Sequence, residues 1–353
     1  MTTPPAETPR ELGYRWPAEW EPHAATWLSW PHKEASWPGK FEPVPGIFVA
    51  MVRALAAGER VEILAGGAVR AAEVRELLRR GGVALDRVGL HDVPTDDAWI
   101  RDHGPIFLRA RDAATVPPLL ATDWGFNAWG GKYPPWQQDD VVPQHVARIL
   151  GVPRVVPGMI LEGGSIDGDG DGTLLTTEAC LLNVNRNPEL DRAAIEQRLR
   201  DFLGVERVLW LGDGIVGDDT DGHVDDLTRF VAPGVVVTAV EEDPRDENYA
   251  LLQDNLARLK TMRDARGRSL EIIPLPMPPA VVHEDQRLPA SYANFYICNA
   301  AVLVPVFGGR DDARVLALLG SAFPGRRIVG IPAGDLVWGL GAFHCLTQQQ
   351  PAS

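Results

Sequence analysis

The chain has 353 residues, 45% hydrophobic and 23% charged, which is material for a large core. It carries 48 acidic against 34 basic side chains and a formal charge of −14, a field that repels phosphate and argues against nucleic acid while favouring small cations. No run approaches the roughly 18 consecutive apolar residues of a membrane span, so no membrane role is expected.

Residues 1–12 are polar and Pro-rich and read as a flexible segment ahead of one catalytic domain spanning 13–348. Residues 348–353, rich in Gln, read as frayed. Length alone allows two domains, but closed α/β folds of this size often form one, and no linker-like run interrupts the chain. Val44–Ala57 has helical spacing and Arg60–Leu64 alternates as a strand. Ala71–Arg80 reads as a helix ended by Gly81 and Gly82, and Arg87–Val93 as the next strand. Leu161–Ile166 and Thr173–Leu182 read as strands. Asn187 and Pro188 look like the N-cap and first residue of a helix reaching Leu203, followed by a strand from Glu206 to Leu211. Helices are expected over Glu247–Asp264 and Asp311–Phe323, each followed by a strand, Leu270–Pro274 and Arg326–Ile331.

The acidic and nucleophilic turns are evenly spread. Asp102 to Glu162 is 60 residues, Glu162 to His223 is 61, and His223 to Cys345 is 122. A period near sixty suggests about five supersecondary units, each offering a loop to a shared centre.

Three cysteines, Cys180, Cys298 and Cys345, lie far apart with no C-x-x-C pairing. That argues against a disulfide framework and a cysteine zinc site, and for a reducing, cytoplasmic setting. Cys180 and Cys298 sit in apolar strand contexts and read as core filler. Cys345 follows Trp338-Gly339-Leu340-Gly341-Ala342-Phe343-His344, where glycine permits close backbone approach. Alone, this turn suits a structural thiol or a nucleophile. Gly222-His223-Val224-Asp225 sets an imidazole and a carboxylate at i and i+2, on one face of an extended segment, as a proton shuttle with a cation-holding acid or as solvated turn charges. Trp99-Ile100-Arg101-Asp102 offers an aromatic face beside a carboxylate, the two surfaces a flat cation wants. Leu161-Glu162-Gly163-Gly164 puts an acid in an apolar setting, where it needs a fixed partner. Phe126–Gly131 is a wall or a packing turn. Asp167-Gly168-Asp169-Gly170-Asp171-Gly172, with Glu178 six residues on, fits a calcium-loop pattern, but the flanks read as strands and favour a solvated hairpin tip.

In order, these segments resemble the agmatine deiminase family, close to the bacterial peptidylarginine deiminases in the guanidine-modifying group. The resemblance runs from Gly13-Tyr14-Arg15-Trp16-Pro17 and Trp27-Leu28-Ser29-Trp30-Pro31 to His344-Cys345-Leu346-Thr347. It implies an α/β fold, a fivefold pseudo-symmetric propeller of ββαβ units around a central site. It also implies hydrolysis of the small cation agmatine, no cofactor and no metal, with a homodimer as the family expectation. By the same resemblance Cys345 is the nucleophile and His223 the acid and base. Glu162 orients His223, and Asp102 and Asp225 grip the guanidinium. Trp99, Asp219 and Gly341 complete the substrate-binding set. The chain departs from the family pattern at Leu340 and Ala342 and in having Asp221 where many members have Asn. Three rivals stand beside it: a peptidyl- or free-arginine deiminase, which changes only the substrate, a manganese ureohydrolase, which would have no use for Cys345, and a non-catalytic binding protein such as a calcium-binding module.

Overall fold

The computed structural model describes residues 7–353. Among them are five sheets of three or four strands and one short hairpin, 282–287. Every one of the five sheets repeats a pattern: an antiparallel pair, then a helix that crosses over to a parallel neighbour. His23–Ser29 pairs antiparallel with Gln348–Pro351 and parallel with Arg60–Leu64, through the helix Val44–Leu55. The helix Ala68–Arg80 then adds Val88–His91 in parallel. Ile106–Ala110 and Leu119–Thr122 pair antiparallel, and the helix Val142–Leu150 leads to Arg154–Val155. The next sheet joins Asp167–Gly168, Thr173–Thr177 and, after the helix Arg192–Leu203, Arg207–Leu211. Thr228–Ala232, Val235–Val240, the helix Asn248–Thr261 and Glu271–Pro276 form the fourth. Tyr296–Ile297, Ala301–Val306, the helix Asp312–Ala322 and Arg327–Pro332 form the fifth.

The sequence explains the order. A parallel pair needs a long crossover, and each amphipathic helix supplies one while covering its sheet. The strand with neighbours on both sides is the most apolar: Val235–Val240 reads Val-Val-Val-Thr-Ala-Val and is buried along most of its length. The apolar helix faces, such as Phe48, Met51, Val52 and Leu55, complete the cores against these strands.

The ends of the chain correct the expectation of frayed termini. Residues 1–6 lie outside the described residues. Thr8–Leu12 is a turn, closed by the Thr8 amide on Glu11 Oε2 at 2.8 Å and tied to the body by the Arg10 amide on the Asp201 carbonyl at 3.0 Å. Gln348–Pro351 is a strand rather than a loose tail, so the folded part runs past 348. Polar side chains are tolerated there because each amide has a partner. Gln348 donates to the Pro105 carbonyl, Gln349 accepts from Arg101, and Gln350 accepts from the Trp27 indole.

Further corrections are local. The helix before Leu203 begins after Asp191, whose carboxylate caps the Ala194 amide; Asn187 instead clasps the Ile160 backbone in both directions. Glu162 enters a short 3₁₀ turn, Gly163–Ser165, in place of a strand. The strand expected to reach Leu182 stops at Thr177, whose hydroxyl accepts from the Cys180 amide and opens the helical turn Glu178–Leu181. The calcium-like loop is a hairpin, as expected, but not a solvated one: Asp167 and Asp169 are buried, and Asp169 Oδ1 accepts from the Asp171 and Thr173 amides. Asp167 accepts from Arg229 and the Phe230 amide, Asp171 pairs with Arg266 and Arg268, and Glu178 pairs with Arg192 and Arg258. No helix among the described residues is long and apolar enough to cross a membrane.

Candidate active site

The turn that precedes the first strand of each sheet carries a functional side chain. Asp102 lies in Ile100–His103, ahead of Ile106–Ala110. Glu162 stands at the N-cap of Gly163–Ser165, ahead of Asp167–Gly168. His223 and Asp225 frame Val224–Asp226, ahead of Thr228–Ala232. Cys345 comes just before Gln348–Pro351. The remaining sheet, which begins at Tyr296, has Asn294 at the equivalent place.

Several of these turns meet around Cys345. Its Sγ lies 3.5 Å from Asp225 Oδ2 and accepts from Asn294 Nδ2 at 3.0 Å. The Asn294 carbonyl oxygen accepts from the His344 amide at 3.0 Å and the Cys345 amide at 3.4 Å, so one amide side chain holds both the sulfur and its backbone. The Arg101 amide donates to the Cys345 carbonyl at 3.2 Å, which ties the Asp102 turn to the cysteine turn. Asp102 accepts from the Trp129 indole and from the Gly164 amide, both at 2.9 Å, and its Oδ1 is 3.8 Å from His223 Nδ1. A methyl group on Gly164 would sit 2.6 Å from His223 Nδ1, 2.9 Å from Asp102 and 3.1 Å from Asp225. The bare glycine is therefore what lets three charged groups approach one another.

Trp99 forms a wall, stacked on Trp37 with ring centroids 5.3 Å apart. A methyl group on Gly341 would lie 2.6 Å from that indole and 3.2 Å from Cys345 Sγ, so this glycine is needed for close approach, as the sequence suggested. Leu340 takes up the left-handed conformation at φ 71°. Asp219 is not drawn into the buried cluster: its carboxylate takes the Tyr133 hydroxyl and its carbonyl takes Lys132, at a partly exposed rim. The charge of Asp221, the departure from the family pattern, is met by Arg186, Lys132 and Asn185.

Glu162 and His223 come within 4.8 Å, but the Glu162 hydrogen bond goes to Arg186 Nε at 2.8 Å. Neither ring nitrogen of His223 has a hydrogen-bond partner among the described residues. The ring is set through its backbone, whose amide donates to Asp218 at 3.0 Å.

The electrostatics follow from burial and crowding of like charges. Burial raises the Asp102 pKa to about 6; His223 pulls it down, but Asp225 and Glu162 oppose that. Burial would lower the His223 pKa, yet Asp102, then Cys180 and Asp225, hold it well above the usual imidazole value. Burial and three carboxylates, Asp225, Asp226 and Asp102, push the Cys345 thiol well above its ordinary value, with only partial relief from Asn294. Burial would also raise Asp225, but its 2.6 Å hydrogen bond to His344 Nδ1 keeps it low and ionised. The arrangement is a buried cluster of carboxylates around a thiol that holds its proton more tightly than usual. Of the predicted polar site residues, Cys345, His223, Glu162, Asp102 and Asp225 are all buried, Cys345 at 7% exposure, and only Asp219 is partly exposed.

Sequence reasoning missed four supporting groups. Asn294 is one. Arg186 is another. His344 is the third: it joins Asp225 to Glu19, with Nε2 2.9 Å from Glu19 Oε2. Glu19 is the fourth, held by Arg101 at 3.1 Å and Arg229 at 3.0 Å and accepting the Ile297 amide at 2.8 Å. Burial would raise the Glu19 pKa, but Arg229, His344 and Arg101 together hold it far below the usual carboxylate range. Glu19→Ala leaves two buried guanidinium groups without that counter-charge. A loss of about 3–5 kcal/mol in urea unfolding is expected. A change below about 1 kcal/mol would remove Glu19 from its place as the charge hub.

Known proteins share this architecture. The model of the Porphyromonas-type peptidyl-arginine deiminase family matches residues 15–351. An agmatine deiminase of Pseudomonas aeruginosa (strain LESB58) is 40% identical over 371 aligned positions, covering 99% of this chain and 98% of its own. The structure of an agmatine deiminase of Enterococcus faecalis, described as catalysing its reaction, superposes with a TM-score of 0.91 at 36% identity, over 99% of both chains. A C. jejuni agmatine deiminase with a cysteine changed to serine, solved with substrate bound, superposes with a TM-score of 0.85 at 30% identity, over 96% of both chains. By the family model across nearly its whole length and by these full-length relatives, the chain belongs to the agmatine deiminase and Porphyromonas-type peptidyl-arginine deiminase family.

Proposed function

We propose that this protein is an agmatine deiminase, a hydrolase that converts agmatine and water to N-carbamoylputrescine and ammonia, on the route to putrescine. The observation that carries the reading is the buried carboxylate cluster beside Cys345 Sγ, in a chain 40% identical along its length to agmatine deiminases. The C. jejuni relative that holds substrate when a cysteine is changed to serine supports a cysteine nucleophile.

Guanidinium is delocalised and cationic at ordinary pH, so it must be held flat and its leaving nitrogen protonated. Asp102 and Asp225 take its N–H groups, and the Trp99 face lies alongside. The arriving cation offsets the carboxylates that keep the Cys345 thiol protonated, so the thiol ionises in the complex. The thiolate attacks the central carbon and forms a C–S bond. His223, charged because Asp102 is near, gives its proton to the departing nitrogen, and ammonia leaves as the C–N bond breaks. Neutral His223 then takes a proton from water, which attacks the amidino-thioester carbon. The C–S bond breaks, Cys345 leaves as thiolate, and the hydroxyl on the carbon gives its proton to solvent as the carbamoyl C=O forms. In this reading the five similar sheets stand as a fivefold propeller around the cluster. Their shared topology, the turn each contributes, and the pairing of Gln348–Pro351 with His23–Ser29 support it.

Ammonia release should be compared for agmatine, free arginine and an arginyl peptide. Agmatine should lead in kcat/KM by roughly tenfold or more, because an acidic slot must desolvate the carboxylate or carbonyl of the others without a partner. Activity should survive EDTA and be lost to iodoacetamide. A preference for the peptide would move the protein to the other branch of its family.

A further inference from the structure

Cys180 was expected to be inert filler on a strand. The helical turn Glu178–Leu181 instead brings it to the back of the site. Its Sγ, a carboxylate oxygen of Glu162 and a ring nitrogen of His223 all lie within 4.8 Å of one another, and all three residues are buried. Among the described residues, Glu162 Oε2 and both His223 ring nitrogens have no hydrogen-bond partner, an unusual concentration of unmet polar atoms in one interior spot. In the proposed reaction the Cys180 thiol makes or breaks no bond; it only helps hold the His223 proton.

A thiolate, an imidazole and a carboxylate are a zinc donor set, and these three donor atoms already lie within 4.8 Å of one another. The charges also close: the thiolate and Glu162 together balance a divalent ion, with His223 neutral, and Arg186 stays paired with Glu162 Oε1 and Asp221. We propose that Glu162, Cys180 and His223 form an inhibitory binding site for a thiophilic divalent cation such as zinc. A bound ion holds the His223 lone pair and prevents proton transfer. This inhibitory role rests on the reading of His223 as the proton carrier; the binding itself does not.

The test is a titration of the full-length protein with Co²⁺, read by thiolate-to-cobalt charge-transfer absorption, alongside inhibition of agmatine turnover by Zn²⁺. The wild type and Cys345→Ala should both develop the band, and Cys180→Ala should not. Cys180→Ala, read against its own metal-free turnover because Cys180 also helps hold the His223 proton, should need at least about tenfold more zinc for half-inhibition than the wild type. Cys180→Ser, closer in volume, should also lose the band and guards against a packing defect in the alanine variant. A band that vanishes with Cys345→Ala and persists in Cys180→Ala places the metal on the nucleophile and overturns the proposal, as does no band in the wild type. A Cys180-dependent band in a protein that fails to deiminate agmatine would sink the proposed reaction and leave the metal site standing.

Discussion

Cys345→Ser is expected to lower ammonia release from agmatine by at least about 10⁴-fold while leaving the urea unfolding midpoint nearly unchanged. The substitution is close to isosteric, and the Asn294 amide that donates to the sulfur at 3.0 Å can donate to a hydroxyl. The chemical difference is acidity. Even the thiol is pushed up by burial and by Asp225, Asp226 and Asp102, and in the proposed reaction it ionises only when a bound guanidinium offsets them. A serine hydroxyl starts several units higher, and the same cation cannot ionise it. The free wild-type enzyme should accordingly react slowly with iodoacetamide near neutral pH, and faster as pH rises toward the elevated thiol pKa. Turnover by Cys345→Ser within about tenfold of wild type would remove Cys345 from the chemistry.

Asp102→Asn should separate activity from stability in opposite directions. Activity should fall by about a hundredfold or more, because a buried carboxylate gripping a cation is lost. Stability at pH 7 should rise. In the folded protein the Asp102 pKa moves from 3.8 to about 6, chiefly through burial. Below the unfolded value both states are protonated and nothing is lost. As pH rises to the folded value the native state must give up a proton it holds more tightly. Above that the full cost of the buried charge is present, on the order of 2–3 kcal/mol at about 1.4 kcal/mol per unit. The variant escapes this cost, so its advantage in urea unfolding should be largest at pH 7 and vanish near pH 3–4. An advantage independent of pH would mean that the gain comes from packing rather than charge.

Much of the candidate site was legible because the chain marks it locally. Asp102, Glu162, His223, Asp225 and Cys345 each stand in a short turn before a strand, two of them, Glu162 and His223, directly beside glycine, and glycine in an acidic or apolar turn shows in one dimension. The spacing near sixty residues was informative too, and it contained an unread clue. The interval of 122 from His223 to Cys345 steps over one whole unit, and Asn294 occupies the place it skipped. A polar amide inside the aromatic run Tyr292–Tyr296, buried and therefore in need of partners, was the signal that could have found it.

What escaped is what depends on distant segments. Glu19 meets residues 82, 210 and 325 positions away, and no local pattern encodes such pairings. Cys180 looked like strand because Thr, Leu and Cys alternate around it, but the Thr177 cap bends the chain and sends the thiol toward His223. The Gln-rich end looked frayed because its side chains are polar; Pro105, Arg101 and Trp27, far off in sequence, satisfy them and make a strand. By itself the sequence determined the kinds of chemistry present, a thiol, an imidazole and carboxylates, since these are properties of residue types and of the turns that carry them. The tertiary structure alone decided their state: the thiol protonated, His223 charged, Asp102 half-way up the pH scale. Those values follow from how deeply each group is buried and which charges stand within a few ångströms, and only the folded chain sets both.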